Sequence, residues 1–161
     1  MQRFERVPVL MPSHAVPRRP SILVVDDEPL VRQLLVRKLQ HHGFDVREAS
    51  DGDEALELVH RDPPDIVLTD LNMPHCDGER LCQMLKAEPA TSQISVVLMT
   101  AAAIDEGLMR VVGFDEVLYK PLSPGLPDRL RALIATERGE VRPASETAGP
   151  VEATRGWSPG R

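Results

Sequence analysis

The chain of 161 residues is short of aromatics: three Phe, one Tyr and one Trp. A stacking surface for single-stranded nucleic acid needs several exposed rings, so that class is excluded. Positive charge is also short, with 19 Lys and Arg against 25 Asp and Glu, a net of −6. A general binder of the phosphate backbone carries the opposite sign. No apolar run approaches the ~20 residues that span a bilayer. Val7–Met11, broken by Pro8, is too short for the core of a signal peptide. The two cysteines, Cys76 and Cys82, stand six apart without a C-x-x-C pattern or histidines at ligand spacing, which predicts reduced thiols in a cytoplasmic protein. There is no G-x-x-x-x-G-K and no G-x-G-x-x-G, which argues against a nucleotide site built on those loops.

What is present is unevenly spread. Residues 1–20 carry a net charge of +3, residues 21–136 a net of −9 and residues 137–161 a net of zero. Seven of the 15 prolines fall in the two ends. The pattern predicts a folded unit over 21–136, a flexible Pro- and Arg-rich extension over 1–20, and a low-complexity, disordered tail over 137–161. The Arg18-Arg19 pair reads as a solvated lead-in. Trp157 stands alone in the polar tail, more often incidental than an anchor, although a lone aromatic in such a setting can be a docking point.

The middle alternates short apolar runs with helical periods. Strands are expected at Ser21–Val25, Phe44–Glu48, Asp65–Thr69, Ile94–Met99 and Glu116–Tyr119. Pro29 suits a first helical turn, after which Leu30, Val31, Leu34, Leu35 and Leu39 form one apolar stripe stopped by Gly43. Ser50 or Asp51 caps a second helix with Ala55, Leu56, Leu58 and Val59 inward. Leu81, Met84 and Leu85 mark a third helix, a weak stretch over Asp105–Val112 a fourth, and Leu126, Leu130, Leu133 and Ile134 a last one. Such alternation predicts an α/β fold with one parallel sheet covered on both faces.

In such a sheet, ligands bind beyond the carboxyl ends of the strands. The residues there are Asp26 and Asp27, Asp70, Thr100 and Lys120. Three carboxylates close together repel, and a divalent cation removes the conflict. Oxygen-only donors with room for water suit Mg²⁺. A carboxylate beside that ion is a nucleophile toward phosphorus, and a hydroxyl and an ammonium can hold phosphoryl oxygens. Taken singly, each residue has a plainer reading: a helix-capping Asp-Asp, a solvated loop acid, an ordinary strand end and a surface lysine. The convergence on four strand ends separates the two readings. His41, His42 and His75 read as surface residues.

The motifs ILVVDDEPLVR (22–32), ASDGDEALELV (49–59), DIVLTDLNMPHCDG (65–78), VVLMTA (96–101) and YKPL (119–122) resemble the receiver domain of bacterial two-component response regulators. The resemblance implies a flavodoxin-like (βα)5 doubly wound parallel sheet of order 2-1-3-4-5. It implies that Asp70 accepts a phosphoryl group from a sensor histidine kinase or a histidine phosphotransfer protein. Mg²⁺ would be held by Asp27, Asp70 and the backbone carbonyl of Asn72, with Asp26 acting through water. Thr100, Ala101 and Lys120 would receive the phosphoryl oxygens. Met73-Pro74 would shape the loop and Gly78 let it close.

The family's usual aromatic three residues before the lysine is here Val117, and the nearby aromatic is Tyr119. The Thr100–Lys120 stretch is about two residues shorter than is typical of the family.

The expectation is a stand-alone phosphoacceptor regulator, not an enzyme acting on a separate substrate. It would be cytoplasmic, with no nucleic-acid or membrane partner, signalling to an unidentified downstream protein as a monomer or a phosphorylation-dependent dimer. A phosphate-independent adaptor of the same fold is the alternative. A phosphohydrolase of the haloacid dehalogenase type fits less well: it needs D-x-D after the first strand, where this chain has Asp26-Asp27-Glu28.

Overall fold

The structure, a computed structural model, describes residues 18–139. Of the two ends expected to be flexible, 1–20 and 137–161, all but 18–20 and 137–139 lie outside the described residues. Five strands and five helices alternate: β1 (Ser21–Val25), α1 (Pro29–His41), β2 (Asp45–Ala49), α2 (Gly52–Arg61), β3 (Ile66–Asp70), α3 (Gly78–Ala87), β4 (Ser95–Thr100), α4 (Glu106–Val112), β5 (Glu116–Tyr119) and α5 (Leu126–Glu137). All four pairings are parallel and the order is β2-β1-β3-β4-β5, as the resemblance implied.

The pleat sends alternate residues to opposite faces. Leu23, Val25, Val67, Val96 and Leu98 meet α2, α3 and α4 through Ala55, Val59, Leu81, Leu85 and Met109. Ile22, Val24, Ile66, Leu68, Val97 and Met99 meet α1 and α5 through Leu35, Leu39, Leu126, Leu130 and Ile134. Two apolar layers thus sandwich the sheet, and each fully buried aliphatic side chain contributes ~1.5–3 kcal/mol of transfer free energy.

The local signals act where expected. Asp51 caps α2 by accepting from the Glu54 N–H at 2.8 Å, while the Glu54 carboxylate accepts from the Ser50 N–H at 2.7 Å. Asp77 and Asp105 cap α3 and α4 through the N–H groups of Arg80 and Leu108. Gly43, at φ 84°, turns the chain after α1, where a Cβ would be strained.

Packing corrects two stripes. On α1, Leu35 and Leu39 are buried, but Leu30 and Leu34 are 69% and 68% exposed. The stripe is wider than the strip of α1 that the sheet covers. On α3, Met84 is exposed and Cys82 takes a buried place beside Leu81 and Leu85. The strand limits of β2, β3 and β4 shift by one residue toward the C-terminus.

Candidate functional site

The sheet winds away from β1 in two directions, and the crevice lies where β1 and β3 end side by side. Asp26 follows β1, Asp70 is the last residue of β3, and Lys120 follows β5. The Lys120 N–H donates to the Thr100 carbonyl at 2.7 Å, extending the β4–β5 ladder by one rung. From there its ammonium reaches Asp70 Oδ1 at 2.7 Å and Asp26 Oδ2 at 3.0 Å. Residues 94 and 50 positions away from the lysine are thereby joined by one cation.

Each carboxylate is held by a second donor. Asp26 is almost wholly buried, and its Oδ1 accepts from the Glu28 N–H at 2.9 Å. The N-cap of α1 is Glu28, which makes no side-chain cap bond, so Asp26-Asp27 is not a helix cap. Asp70 Oδ2 accepts from the Asn72 N–H at 2.9 Å, a turn in which a carboxylate mimics backbone. The Asp70 side chain keeps 14% of its surface open, so solvent and a reactant can reach it.

Burial alone would pull the Lys120 pKa down. The hydrogen bonds to Asp70 and Asp26 and their two charges outweigh it, and the pKa ends above its ordinary value. The ammonium therefore stays charged at neutral pH.

The other expected residues sit around this triad. Asp27 is exposed at the next position. Thr100 is buried, and its Oγ1 accepts from the Ala102 N–H at 3.1 Å, while Ala101 is exposed. The loop after Asp70 is closed by Gly78, whose N–H donates to the Leu71 carbonyl at 3.0 Å. A Cβ on Gly78 would lie 2.2 Å from the Asp70 carbonyl oxygen, a distance no side chain tolerates. His75 takes φ 64° in the same loop, a left-handed conformation that costs a non-glycine residue ~1–2 kcal/mol.

Sequence reasoning missed three contacts. Arg32 donates to the Asp26 carbonyl at 2.7 Å and fixes the end of β1. Cys76 is a structural residue of the loop: its carbonyl accepts from the Gly52 N–H at 3.2 Å, and Gly52 has no Cβ because Cys76 fills that space. Tyr119 Oη donates to Glu106 at 3.0 Å, bridging β5 to the first turn of α4. The i,i+4 spacing of Arg32 from Glu28 carries no signal of the first contact, and the other two join separate elements.

The donor set fits a hard cation. It is all oxygen: two carboxylates, Asp26 and Asp70, meet one ammonium, and Asp27 is the next residue in the chain. Among the described residues, no three His, Cys, Asp or Glu side chains form a ready-made metal cage. The oxygen donors of the Asp26, Asp27 and Asp70 carboxylates are of the type that suits Mg²⁺, which takes one or two carboxylates and keeps its waters.

The model of the response regulator receiver domain matches residues 22–135. The "Probable transcriptional regulator ycf27" of Guillardia theta is 37% identical over 117 residues, covering 71% of this chain and 45% of that protein. The alkaline phosphatase synthesis transcriptional regulatory protein PhoP of Bacillus subtilis is 35% identical over 128 residues, covering 78% of this chain and 52% of that protein. The chain thus spans about half the length of these relatives. Among solved structures, Vibrio cholerae chemotaxis protein CheY4 superposes with a TM-score of 0.67 at 27% identity, covering 71% of this chain and 98% of that one.

Proposed function

The chain belongs to the response regulator receiver family, a signalling phosphoacceptor fold, and on that footing we propose that Asp70 takes a phosphoryl group from a phosphohistidine of a sensor kinase or phosphotransfer protein. The observation that carries the reading is the Lys120 ammonium bound to both Asp70 and Asp26 at the open end of the sheet.

An Asp70 carboxylate oxygen attacks phosphorus. The O–P bond forms as the P–N bond breaks, and the histidine nitrogen keeps the electron pair and takes a proton. Lys120 then passes from the Asp70 carboxylate to a phosphoryl oxygen. Thr100 turns its hydroxyl from Ala102 to a second oxygen, which the Ala101 N–H also meets. Asp27, Asp70 and the Asn72 carbonyl would hold Mg²⁺, which neutralises charge on the transferring group. Asp26, already engaged by Lys120 and the Glu28 N–H, would act on that ion through water. Hydrolysis of the acyl phosphate by water returns the free carboxylate, so the chain catalyses only its own phosphorylation and dephosphorylation.

Output is a change in protein contact, made in the cytoplasm. The net charge of −9 over 21–136 supports a protein partner over DNA. With acetyl phosphate and Mg²⁺, intact-mass spectrometry should show one added phosphoryl group, lost with EDTA and in Asp70→Asn. An unchanged wild-type mass, or an equal gain in the variant, refutes the assignment.

A second reading, a phosphate-independent adaptor, is favoured by one observation: Val117 leaves the position of the family's usual aromatic without a ring. Beryllofluoride that changes neither shape in solution nor partner affinity would favour it.

A further inference from the structure

Helix α1 carries more apolar surface than the sheet takes up. Leu35 and Leu39 are buried, while Leu30 and Leu34, one turn apart, are largely exposed. Leu34 also walls a groove of about 360 Å³ whose far side is Pro121 and Leu122, in the turn after β5. Charge is divided along the same face. Glu28, the N-cap, is exposed and makes no side-chain cap bond, and Arg37, toward the other end, is exposed as well. Two other cations of the helix are engaged within the chain: Arg32 by the Asp26 carbonyl and Glu48, and Lys38 by the Ser123 carbonyl. Among the described residues, no hydrogen bond or ion pair holds the side chain of Glu28 or of Arg37.

We propose that this face binds a second copy of itself, the two α1 helices packing antiparallel about a two-fold axis level with position 32. A two-fold interface repeats every contact, so setting Leu30 against the second copy's Leu34 also sets Leu34 against its Leu30. The same register brings Glu28 level with the second copy's Arg37 to within one residue, a rise of about 1.5 Å. Each copy thus supplies one acid and one cation, and two Glu28–Arg37 pairs close the ends of a four-leucine centre. The second copy's Leu30 enters beside Leu34, where the groove toward Pro121 and Leu122 receives it. A parallel pairing would set Glu28 on Glu28 and Arg37 on Arg37, and like charges at both ends oppose it.

The leucines supply the attraction, and the exposed charge pairs fix direction and register more than strength. One helix and one turn from each copy make a small interface, under about 1,200 Å² in total, the size of a transient contact. The expected dissociation constant is on the order of 100 μM. The contact uses neither Asp70 nor Thr100, so it forms in the unphosphorylated chain and does not depend on the phosphoacceptor reading.

The test is sedimentation equilibrium of the full, unphosphorylated chain from about 10 μM to about 1 mM. The average mass should rise from that of a monomer toward that of a dimer. Leu34→Glu, at an exposed position, should weaken association at least about ten-fold while circular dichroism and the urea midpoint stay native. Glu28→Lys and Arg37→Glu should each weaken it, because each sets like charges together. Their one-to-one mixture should associate better than either variant alone, since the mixed pair has opposite charges at both ends. A chain that stays monomeric throughout overturns the proposal and leaves the face to a different protein. Association that survives Leu34→Glu overturns it, as does association abolished by Val111→Glu, which moves the contact to the exposed face of α4. So does a mixture no better than its components, since the antiparallel register requires the rescue.

Discussion

Lys120 does more at this site than one charge suggests. Among the described residues it is the side-chain partner of the buried Asp26 carboxylate, and it ties down the Asp70 oxygen nearer to it. Removing one member of a buried pair leaves the other charge unpaired, at a cost of ~3–5 kcal/mol. The side chain is 24% exposed, which lowers that figure. Lys120→Met should therefore destabilise the chain by about 2–3 kcal/mol in urea, and Asp26→Asn added to it should recover part of the loss. Gly78 is a second single-residue constraint. Gly78→Ala must displace the Asp70 carbonyl, and overpacking of this kind costs about 1–3 kcal/mol. Urea midpoints should fall accordingly, and phosphorylation from acetyl phosphate should slow with them. The two thiols are the opposite case. Burial pushes Cys82 up to about 12 and raises Cys76 as well. Only thiolates react, so a thiol reagent should modify neither residue in the native protein and both in urea.

At the scale of elements, helix α1 shows where periodicity stops being informative. Leu34 and Leu35 are adjacent and chemically alike, yet one is 68% exposed and the other 6%. Leu35→Ala should cost about 2–4 kcal/mol, and Leu34→Ala less than about 0.5 kcal/mol, measured by thermal or urea unfolding. The spacing of the five apolar residues fits a helix whether its covered strip is narrow or wide. Only the arrangement of α1 against β2 and α5 decides the width. Motifs at the strand ends were legible for a different reason. A turn that must leave a parallel sheet and expose a carboxylate has few sequence solutions, so Asp26, Asp70 and Lys120 could be placed from order and spacing alone. Arg32, Cys76 and Tyr119 were not legible, because their partners lie on other elements or on backbone atoms.

Across the whole molecule, the face opposite the site is held by Asp65. Its carboxylate accepts from the Ser21 N–H at 2.7 Å, Ser21 Oγ at 3.0 Å and Arg138 at 2.7 Å, joining the starts of β1 and β3 to the chain just after α5. Burial works to raise the pKa of Asp65, but the hydrogen bonds from Ser21 and Arg138 and the charge of Arg138 together bring it below the usual carboxylate value. A carboxylate with a lowered folded pKa stabilises above its unfolded value, about 3.9, and loses that contribution as pH falls through the folded value. Asp65→Asn should therefore be less stable than wild type by about 1–3 kcal/mol at neutral pH, with the gap closing as pH falls below the unfolded value of about 3.9 and on through the folded one. Urea titrations from pH 7 to pH 3 check it.

The sequence by itself determined the alternation of elements, the parallel sheet and the residues at its carboxyl edge. These depend on local periods and on short turns whose chemistry is restricted. Tertiary structure decided which leucines of α1 are covered, which two acids share the lysine, and that Tyr119 bridges β5 to α4 through Glu106. Those outcomes depend on distances between atoms far apart in the chain, and no local pattern encodes such distances.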